Sequence, residues 1–157
     1  MTQYDYTIRP LVAADFYDYC NLMSALVADQ PVPRDTRGED LFHTLLTTKG
    51  VTVFGAEIDG QIVSTATLFV MTNLTYDGRP CAFVENVVTL SHYRGHGIGR
   101  AVMRHLLDET AALNVYKVQL LTGQDYGARG FYETLGFNAS EKYGMSLRQV
   151  PTRGPAT

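Results

Sequence analysis

The stretch YRGHGIGR, residues 93–100, places three glycines between two arginines. It directly follows CAFVENVVTL (81–90), whose apolar and β-branched residues are typical of a buried strand. Apolar residues then recur at helical spacing from Ile98 to Leu113. A strand, a glycine-rich turn and a helix start form a typical anion site, because N–H groups of the first helical turn are unpaired and the helix dipole favours negative charge. A turn that merely caps the helix is the structural alternative.

The spacing of the glycines separates the candidate anions. The ATP-type phosphate loop requires GxxxxGK[ST], but no lysine lies between residues 50 and 116. The dinucleotide fingerprint GxGxxG requires glycines at offsets zero, two and five, whereas Gly95, Gly97 and Gly99 lie at offsets zero, two and four. A nucleotide-binding domain of either kind is therefore disfavoured.

The rest of the chain predicts a mixed α/β (α+β) domain. The Asp59-Gly60 pair between two β-rich runs is a strong hairpin signal, because both turn residues need positive φ. The predicted order βααβββαβαβ implies helices on both faces of one mixed, mostly antiparallel sheet of six to seven strands. The predicted elements are strands at 4–11, 51–58, 61–71, 81–90, 116–121 and 141–150, and helices at 13–28, 40–48, 98–113 and 127–137.

Composition limits the function classes. A chain of 157 residues suits one domain, which we place at 1–150 with a frayed tail at 151–157. The net charge of −3 gives no positive field for nucleic acid, and no apolar run approaches the roughly 20 residues that span a bilayer. The polar start, without signal-peptide layout, predicts a cytoplasmic protein that binds neither nucleic acid nor membrane. Two cysteines without CxxC spacing and four scattered histidines predict no metal site.

Two motifs carry a family resemblance. Residues 94–99 match [QR]xxGx[GA], and GARGFYETLGF at 127–137 contains the pattern AxxFYExxGF. Together with the order of elements, they resemble the GNAT superfamily of acetyl-coenzyme A dependent N-acyltransferases. The resemblance implies a GNAT-like fold, acetyl-coenzyme A as cosubstrate and N-acetyltransferase activity.

The resemblance also implies where coenzyme A lies. In the family, the pantetheine arm enters between the strand before the loop and the next strand, and the loop holds the pyrophosphate. Asp125 stands where many relatives carry an asparagine, which puts that contact in doubt. The implied contacts are Val87, Val88, Thr89, Arg94, Gly95, His96, Gly97, Ile98, Gly99, Arg100, Asp125, Ala128 and Phe131.

Acyl transfer from a thioester to an amine needs a base for the amine, stabilisation of the oxyanion and a proton for the thiolate. Tyr132 matches the family tyrosine that protonates the sulfur; an aromatic packed between helix and sheet is the alternative. Glu85 is the only carboxylate in its strand, and partial burial would raise its pKa and suit it to the base role. A solvent-facing glutamate or a structural ion pair is the alternative there.

The acceptor is less determined. VENVVTLSHYRGHGIG with FYETLGF is similar to glucosamine-6-phosphate N-acetyltransferases. An anionic group could be met by Arg34, Arg37, Tyr76 and Arg79. Solvated loop charges are the alternative for these residues, and the simpler interpretation. We expect a small-molecule primary amine. A protein lysine or N-terminal acetyltransferase and a non-catalytic acyl-coenzyme A sensor remain alternatives. A closing edge strand also leaves room for a homodimer.

Overall fold

The computed structural model describes residues 4–124 and 127–149. Its elements are β1 (Thr7–Pro10), a 3-10 turn (Ala13–Asp15), α1 (Phe16–Leu26), α2 (Thr36–Thr47), β2 (Val51–Ile58), β3 (Gln61–Met71), β4 (Cys81–Thr89), a 3-10 turn (Ser91–Tyr93), α3 (Ile98–Ala112), β5 (Lys117–Leu120) and α4 (Arg129–Glu133). The predicted order of elements is confirmed as far as α4. By its internal contacts the chain divides into two units, Met1–Gln119 and Leu120–Thr157.

The strands form one sheet in the order β1-β2-β3-β4-β5. β1 to β4 pair antiparallel with their neighbours along the chain. The β2–β3 connection is the predicted two-residue turn, with φ of 49° at Asp59 and 79° at Gly60. Because both turn residues have positive φ, the turn matches the right-handed twist of the strands.

Helices of the first unit cover both faces of the sheet, as the sequence predicts. One core cluster joins α1 and α2 to the sheet and includes Tyr19, Phe42 and Val53. The neighbouring Phe54 points to the other face, where its ring meets His105 of α3 edge-on with centroids 5.3 Å apart. Successive strand residues alternate between faces, so Val53 and Phe54 mark the two cores.

The second helix begins earlier than predicted, at Thr36 rather than near residue 40. Asp35 is its N-cap, and its carboxylate accepts a hydrogen bond from the Gly38 N–H at 3.1 Å. A Cβ at Gly38 would lie 2.3 Å from the Pro33 carbonyl oxygen, so only glycine fits this close approach. The predicted exposed loop over 30–40 is therefore shorter, and its second half is helical.

A partly buried ion network anchors the start of the chain to the sheet. Arg9 of β1 donates to both carboxylate oxygens of Asp15, at 2.8 and 2.9 Å, and to Glu57 of β2 at 2.7 Å. The Val12 N–H also donates to Asp15 at 2.7 Å. The Arg9 hydrogen bonds hold the pKa of Asp15 below its usual range, against the effect of burial.

The second unit contains α4 and the segment that follows it. Gly136, with φ of 95°, follows α4 in the predicted C-terminal position. No described residue in 120–149 is buried. The predicted closing strand at 141–150 is wrong over its described part, 141–149, which contains no strand and forms no main-chain hydrogen bond with another described residue. The described sheet therefore has five strands, not six to seven, because an alternating pattern forms a strand only where a partner completes the ladder.

Candidate active site

The glycine-rich loop joins β4 to α3 through two left-handed residues. Gly95 and Gly97 both have φ of 80°, and Gly97 is the N-cap of α3 without a side-chain cap. A Cβ at either position would meet no atom within 4 Å. The loop therefore needs glycine for its backbone conformation and leaves open space above its main chain.

The main-chain donors of this loop are unused. From Gly95 to Arg100, no N–H group donates a hydrogen bond to any described residue; the first paired amide is that of Ala101, which donates to the Gly97 carbonyl at 3.0 Å. Successive unpaired N–H groups at a helix start form a concave site for an anion. The amides of residues 95–100 thus have the arrangement of an anion site, and the binding of coenzyme A there remains a prediction.

The underside of the loop is fixed by packing. A Cβ at Gly99 would lie 2.8 Å from Thr89 Oγ1, so α3 starts directly against the end of β4. Thr89 Oγ1 is in turn 2.8 Å from Ser64 Oγ. Arg94 is exposed, and its Nε donates to the Thr89 carbonyl at 2.8 Å. That bond holds the arginine beside the loop. Its terminal nitrogens, Nη1 and Nη2, form no hydrogen bond with a described residue.

Aromatic rings support the loop from the N-terminal segment. Tyr4 lies edge-on to His96 and tilted against Tyr93, with ring centroids 4.9 and 5.2 Å apart. The His96 ring thus packs against Tyr4 while its main chain belongs to the unpaired run. Sequence reasoning missed Tyr4, because only its alternation with Asp5 was informative.

β4 carries a bulge just before the loop. Glu85 is paired with Thr67 and Val88 with Thr65, so Asn86 and Val87 together oppose a single residue of β3. Asn86 has φ of 55°. A bulge leaves the extra residue outside the ladder and re-aims the main chain. This irregularity occurs at Val87, one of the predicted pantetheine contacts.

The two residues after the bulge point to opposite faces. The Val88 side chain lies in the core beneath α1 and α2, and its carbonyl accepts from Ser64 Oγ at 3.3 Å. The Thr89 side chain contacts the start of α3 as described above. Any contact of Val88 with coenzyme A must therefore involve its main chain, as predicted.

Glu85 is exposed and makes no side-chain hydrogen bond or ion pair with a described residue. The sequence predicts a partly buried Glu85, but in the structure its side chain is exposed. Its place opposite Thr67 puts it on the face of the sheet covered by α1. The base role remains a prediction, which now depends on the acceptor to exclude water.

The remaining predicted residues belong to the second unit. Tyr132 lies in α4, where its ring meets Phe131 and Phe137 edge-on with centroids 5.0 and 6.0 Å apart. Ala128 precedes α4 as its N-cap. Asp125 lies outside the described residues. The roles of Tyr132, Ala128 and Phe131 remain predictions.

Several residues proposed to meet an anionic acceptor are engaged elsewhere. Arg34 donates to Asn21 Oδ1 at 3.0 Å and Ser24 Oγ at 3.3 Å. Arg79 donates to the Asn114 and Val115 carbonyls after α3, at 3.1 and 3.4 Å, and the Tyr76 ring stacks on Tyr116. Arg37 is exposed and forms no side-chain hydrogen bond with a described residue.

Two cavities lie around α1 and α2, and neither is lined by a residue of 85–89 or 94–100. The larger, of about 370 Å³, is lined by aromatic side chains together with Glu39, Asp40 and His43. The smaller, of about 190 Å³, is lined by apolar residues and includes Cys20. The two carboxylates that line the larger cavity do not suit an anionic group.

Across residues 4–124 and 127–149, no three His, Cys, Asp or Glu side chains are grouped as metal ligands would be. In the same ranges, no helix has both the length and the apolar character needed to cross a bilayer.

Known proteins resemble this chain over most of its length. The sequence model of the acetyltransferase (GNAT) family matches residues 19–137. A glucosamine 6-phosphate N-acetyltransferase of Trypanosoma brucei brucei is 36% identical over 90 residues, which are 57% of this chain and 60% of that protein. The aligned part is thus less than two thirds of that relative's length.

Solved structures share the fold. A protein of Agrobacterium tumefaciens str. C58 assigned as an acetyltransferase superposes with a TM-score of 0.87 at 39% identity, over 91% of this chain and 99% of that one. Glucosamine-6-phosphate N-acetyltransferase of Arabidopsis thaliana superposes with a TM-score of 0.81, over 93% of this chain and 99% of that one. At 22% identity, this second likeness concerns the fold alone. The predicted GNAT-like fold is confirmed.

Proposed function

The chain belongs to the GNAT family of acetyltransferases, and from that premise we propose that it transfers the acetyl group of acetyl-coenzyme A to a primary amine of a small metabolite. The run of unpaired N–H groups from Gly95 to Arg100, beneath open space at Gly95 and Gly97, carries the proposal. A diphosphate ester fits this cradle, because its oxygens accept from successive amides at a helix start.

The proposed chemistry is direct attack in a ternary complex. Acetyl-coenzyme A supplies an activated thioester carbonyl. Glu85 takes a proton from the acceptor amine, whose nitrogen forms the new bond to the acetyl carbon as the carbon–sulfur bond breaks. Tyr132 gives its proton to the departing sulfur, and the main-chain N–H of Val87 or Val88 polarises the carbonyl.

The acceptor class is proposed from the trypanosomal relative, which is a glucosamine 6-phosphate N-acetyltransferase. The wider hypothesis of an anionic amine is weakened by Arg34 and Arg79, which are engaged within the protein. Arg37, also of the proposed set, is exposed and forms no side-chain hydrogen bond with a residue in 4–124 or 127–149. We therefore propose an amino sugar or its phosphate as the first substrate class to test.

Release of the coenzyme A thiol, measured across a panel of amines, tests this proposal. The panel contains glucosamine, glucosamine 6-phosphate, a polyamine, a lysine peptide and a free N-terminal peptide. Turnover of an amino sugar supports the proposal, and turnover of a peptide alone supports the protein acetyltransferase. If acetyl-coenzyme A raises the melting temperature but no amine in the panel causes thiol release, the result indicates a non-catalytic sensor.

We also propose that two copies of the chain pair through residues 141–149. Tyr143, Met145 and Leu147 alternate along this segment and are 97%, 91% and 88% exposed. A second copy supplies a segment of identical pattern whose main-chain groups also bond to no described residue, so the two can pair antiparallel about a twofold axis. Analytical ultracentrifugation should show a wild-type dimer and a Met145→Lys monomer; a monomeric wild type at tens of micromolar would contradict the pairing.

A further inference from the structure

Three polar side chains meet where α1 crosses the bulge of β4. Tyr19 of α1 is buried, and its hydroxyl accepts a hydrogen bond from Asn86 Nδ2 at 3.5 Å. Thr67 of β3 is fully buried, and its Oγ1 forms no hydrogen bond of good geometry with a described residue. An unpaired buried hydroxyl is unfavourable, so its nearest polar neighbour matters.

The Tyr19 hydroxyl is a polar neighbour of Thr67. Burial raises the pKa of Tyr19, and hydrogen bonding with Thr67 and Asn86 offsets part of that rise. A phenol O–H rotates freely and can donate to one group while accepting from another. A donated bond to Thr67 Oγ1 and an accepted bond from Asn86 Nδ2 would therefore satisfy all three groups.

The position of the Tyr19 ring is fixed independently of its hydroxyl. The ring stacks on Phe42 of α2 with centroids 4.9 Å apart and an interplanar angle of 27°. Next to it, Asp18 accepts from the Ile62 N–H at 2.9 Å and so ties α1 to β3. Removing the hydroxyl would therefore leave the ring and the helix in place.

Asn86 is the residue at which the bulge is formed. Its left-handed φ of 55° is uncommon outside glycine, and asparagine tolerates it better than most residues. The residues on either side are Glu85 and Val87, which the proposed function uses as base and as main-chain donor. A group that holds the Asn86 side chain thus fixes the orientation of both.

From this geometry we propose that the Tyr19 hydroxyl is a positioning group, which bridges Thr67 to Asn86 and holds the β4 bulge in the conformation required for acyl transfer. The inference rests on the proposed function, because an effect of Tyr19 on kcat can be measured only if the protein catalyses acyl transfer. It differs from that function because Tyr19 is assigned no contact with coenzyme A or with the reacting atoms. Its effect is on the backbone between Glu85 and Val87.

The test compares Tyr19→Phe with Tyr17→Phe. Tyr17 is the neighbouring tyrosine of α1, is 58% exposed and donates no hydrogen bond to a described residue, so it is a matched control. Tyr19→Phe should lower kcat roughly two- to tenfold, the loss expected for one hydrogen bond. The dissociation constant of coenzyme A should stay within about twofold, because the amides from Gly95 to Arg100 are unaffected. Tyr17→Phe should change neither quantity.

A second variant separates positioning from stability. In Tyr19→Phe/Thr67→Val both hydroxyls are replaced by apolar groups of similar shape, which restores most of the melting temperature lost in Tyr19→Phe. The kcat of the double variant should stay low, because Asn86 still lacks its partner. Recovery of kcat together with stability would overturn the proposal, as would a Tyr19→Phe kcat equal to that of Tyr17→Phe.

The state of the bulge can also be observed without any reaction. In ¹⁵N-resolved NMR spectra of the free protein, Tyr19→Phe should shift the Asn86 and Val87 amide signals and leave those of residues 95–100 in place. Unchanged Asn86 and Val87 signals would overturn the positioning role. Should the wild type acetylate no amine, the proposed function fails, while this spectrum still decides whether Tyr19 holds the bulge.

Discussion

Replacing Gly97 with alanine tests the anion site with little interference from the fold. Gly97 has φ of 80°, and an added Cβ would meet no atom within 4 Å. The protein therefore pays only the conformational cost of a left-handed alanine, about 1–2 kcal/mol. The new methyl group extends into the space above the unpaired amides, where the proposed diphosphate lies.

The expected loss of affinity follows from the bonds displaced. A hydrogen bond to a charged group contributes about 1.5–3 kcal/mol. Displacing one phosphate oxygen should therefore weaken coenzyme A binding roughly 10- to 150-fold. Isothermal titration calorimetry of the full chain with coenzyme A measures this change directly.

The hairpin turn provides a matched control. Gly60 has φ of 79° and likewise has no atom within 4 Å of an added Cβ. Gly60→Ala should cost about the same 1–2 kcal/mol of folding stability and leave the coenzyme A affinity unchanged. If both variants are folded and bind coenzyme A equally well, the main chain at Gly97 does not hold the diphosphate.

Three further changes probe the acid, the base and the N-terminal anchor. Tyr132→Phe should lower kcat by about 10²–10⁴-fold with coenzyme A affinity retained; unchanged turnover would remove its acid role. Glu85→Gln should lower kcat with coenzyme A affinity retained, and an unchanged kcat would mean that another group is the base. Asp15→Asn should lower stability at neutral pH, measured by urea unfolding. Because Arg9 lowers the pKa of Asp15 from 3.8, the ionised carboxylate stabilises the folded protein above that pH, and this stabilisation is lost as the pH falls through the lowered pKa. The difference in unfolding free energy between wild type and Asp15→Asn should therefore vanish at low pH. A difference that is constant with pH would contradict this.

Local signals explain which parts of the fold the sequence predicts. The Asp59-Gly60 turn and the glycine loop are specified by residues that tolerate positive φ, so a short local sequence predicts their backbone conformations. The start of α2 was missed because Pro33 suggests a loop, whereas the cap by Asp35 and the fit of Gly38 against Pro33 depend on tertiary packing. The alternating pattern at 141–149 likewise forms no strand, because it needs a neighbouring strand that the pattern itself does not supply.

The bulge explains why the site was predicted only in part. Glu85 was expected to be partly buried, but whether a strand residue is covered depends on register and on the elements packed above it. Nothing in CAFVENVVTL shows that Asn86 lies outside the ladder. Tyr19 was recognised only as one apolar position of α1, because helical spacing shows which face a residue occupies and not which hydroxyl it meets.

The register around the bulge leads to one last prediction. Glu85 pairs with Thr67 and Val88 with Thr65, three residues along β4 against two along β3. Deleting Asn86 would make the two strands equal in length over this stretch and would leave every pair on either side as it is. Val88 would remain in the core, and Thr89 would remain beneath α3.

A regular ladder is at least as stable as a bulged one, and the deletion removes a left-handed residue, so the shortened protein should fold and bind coenzyme A through residues 95–100. If the bulge exists to aim Val87 and Glu85 at the reacting groups, its kcat should fall at least as far as in Tyr19→Phe. A folded deletion variant with full turnover would show that the bulge only accommodates packing, because a strand without it would then serve the reaction equally well.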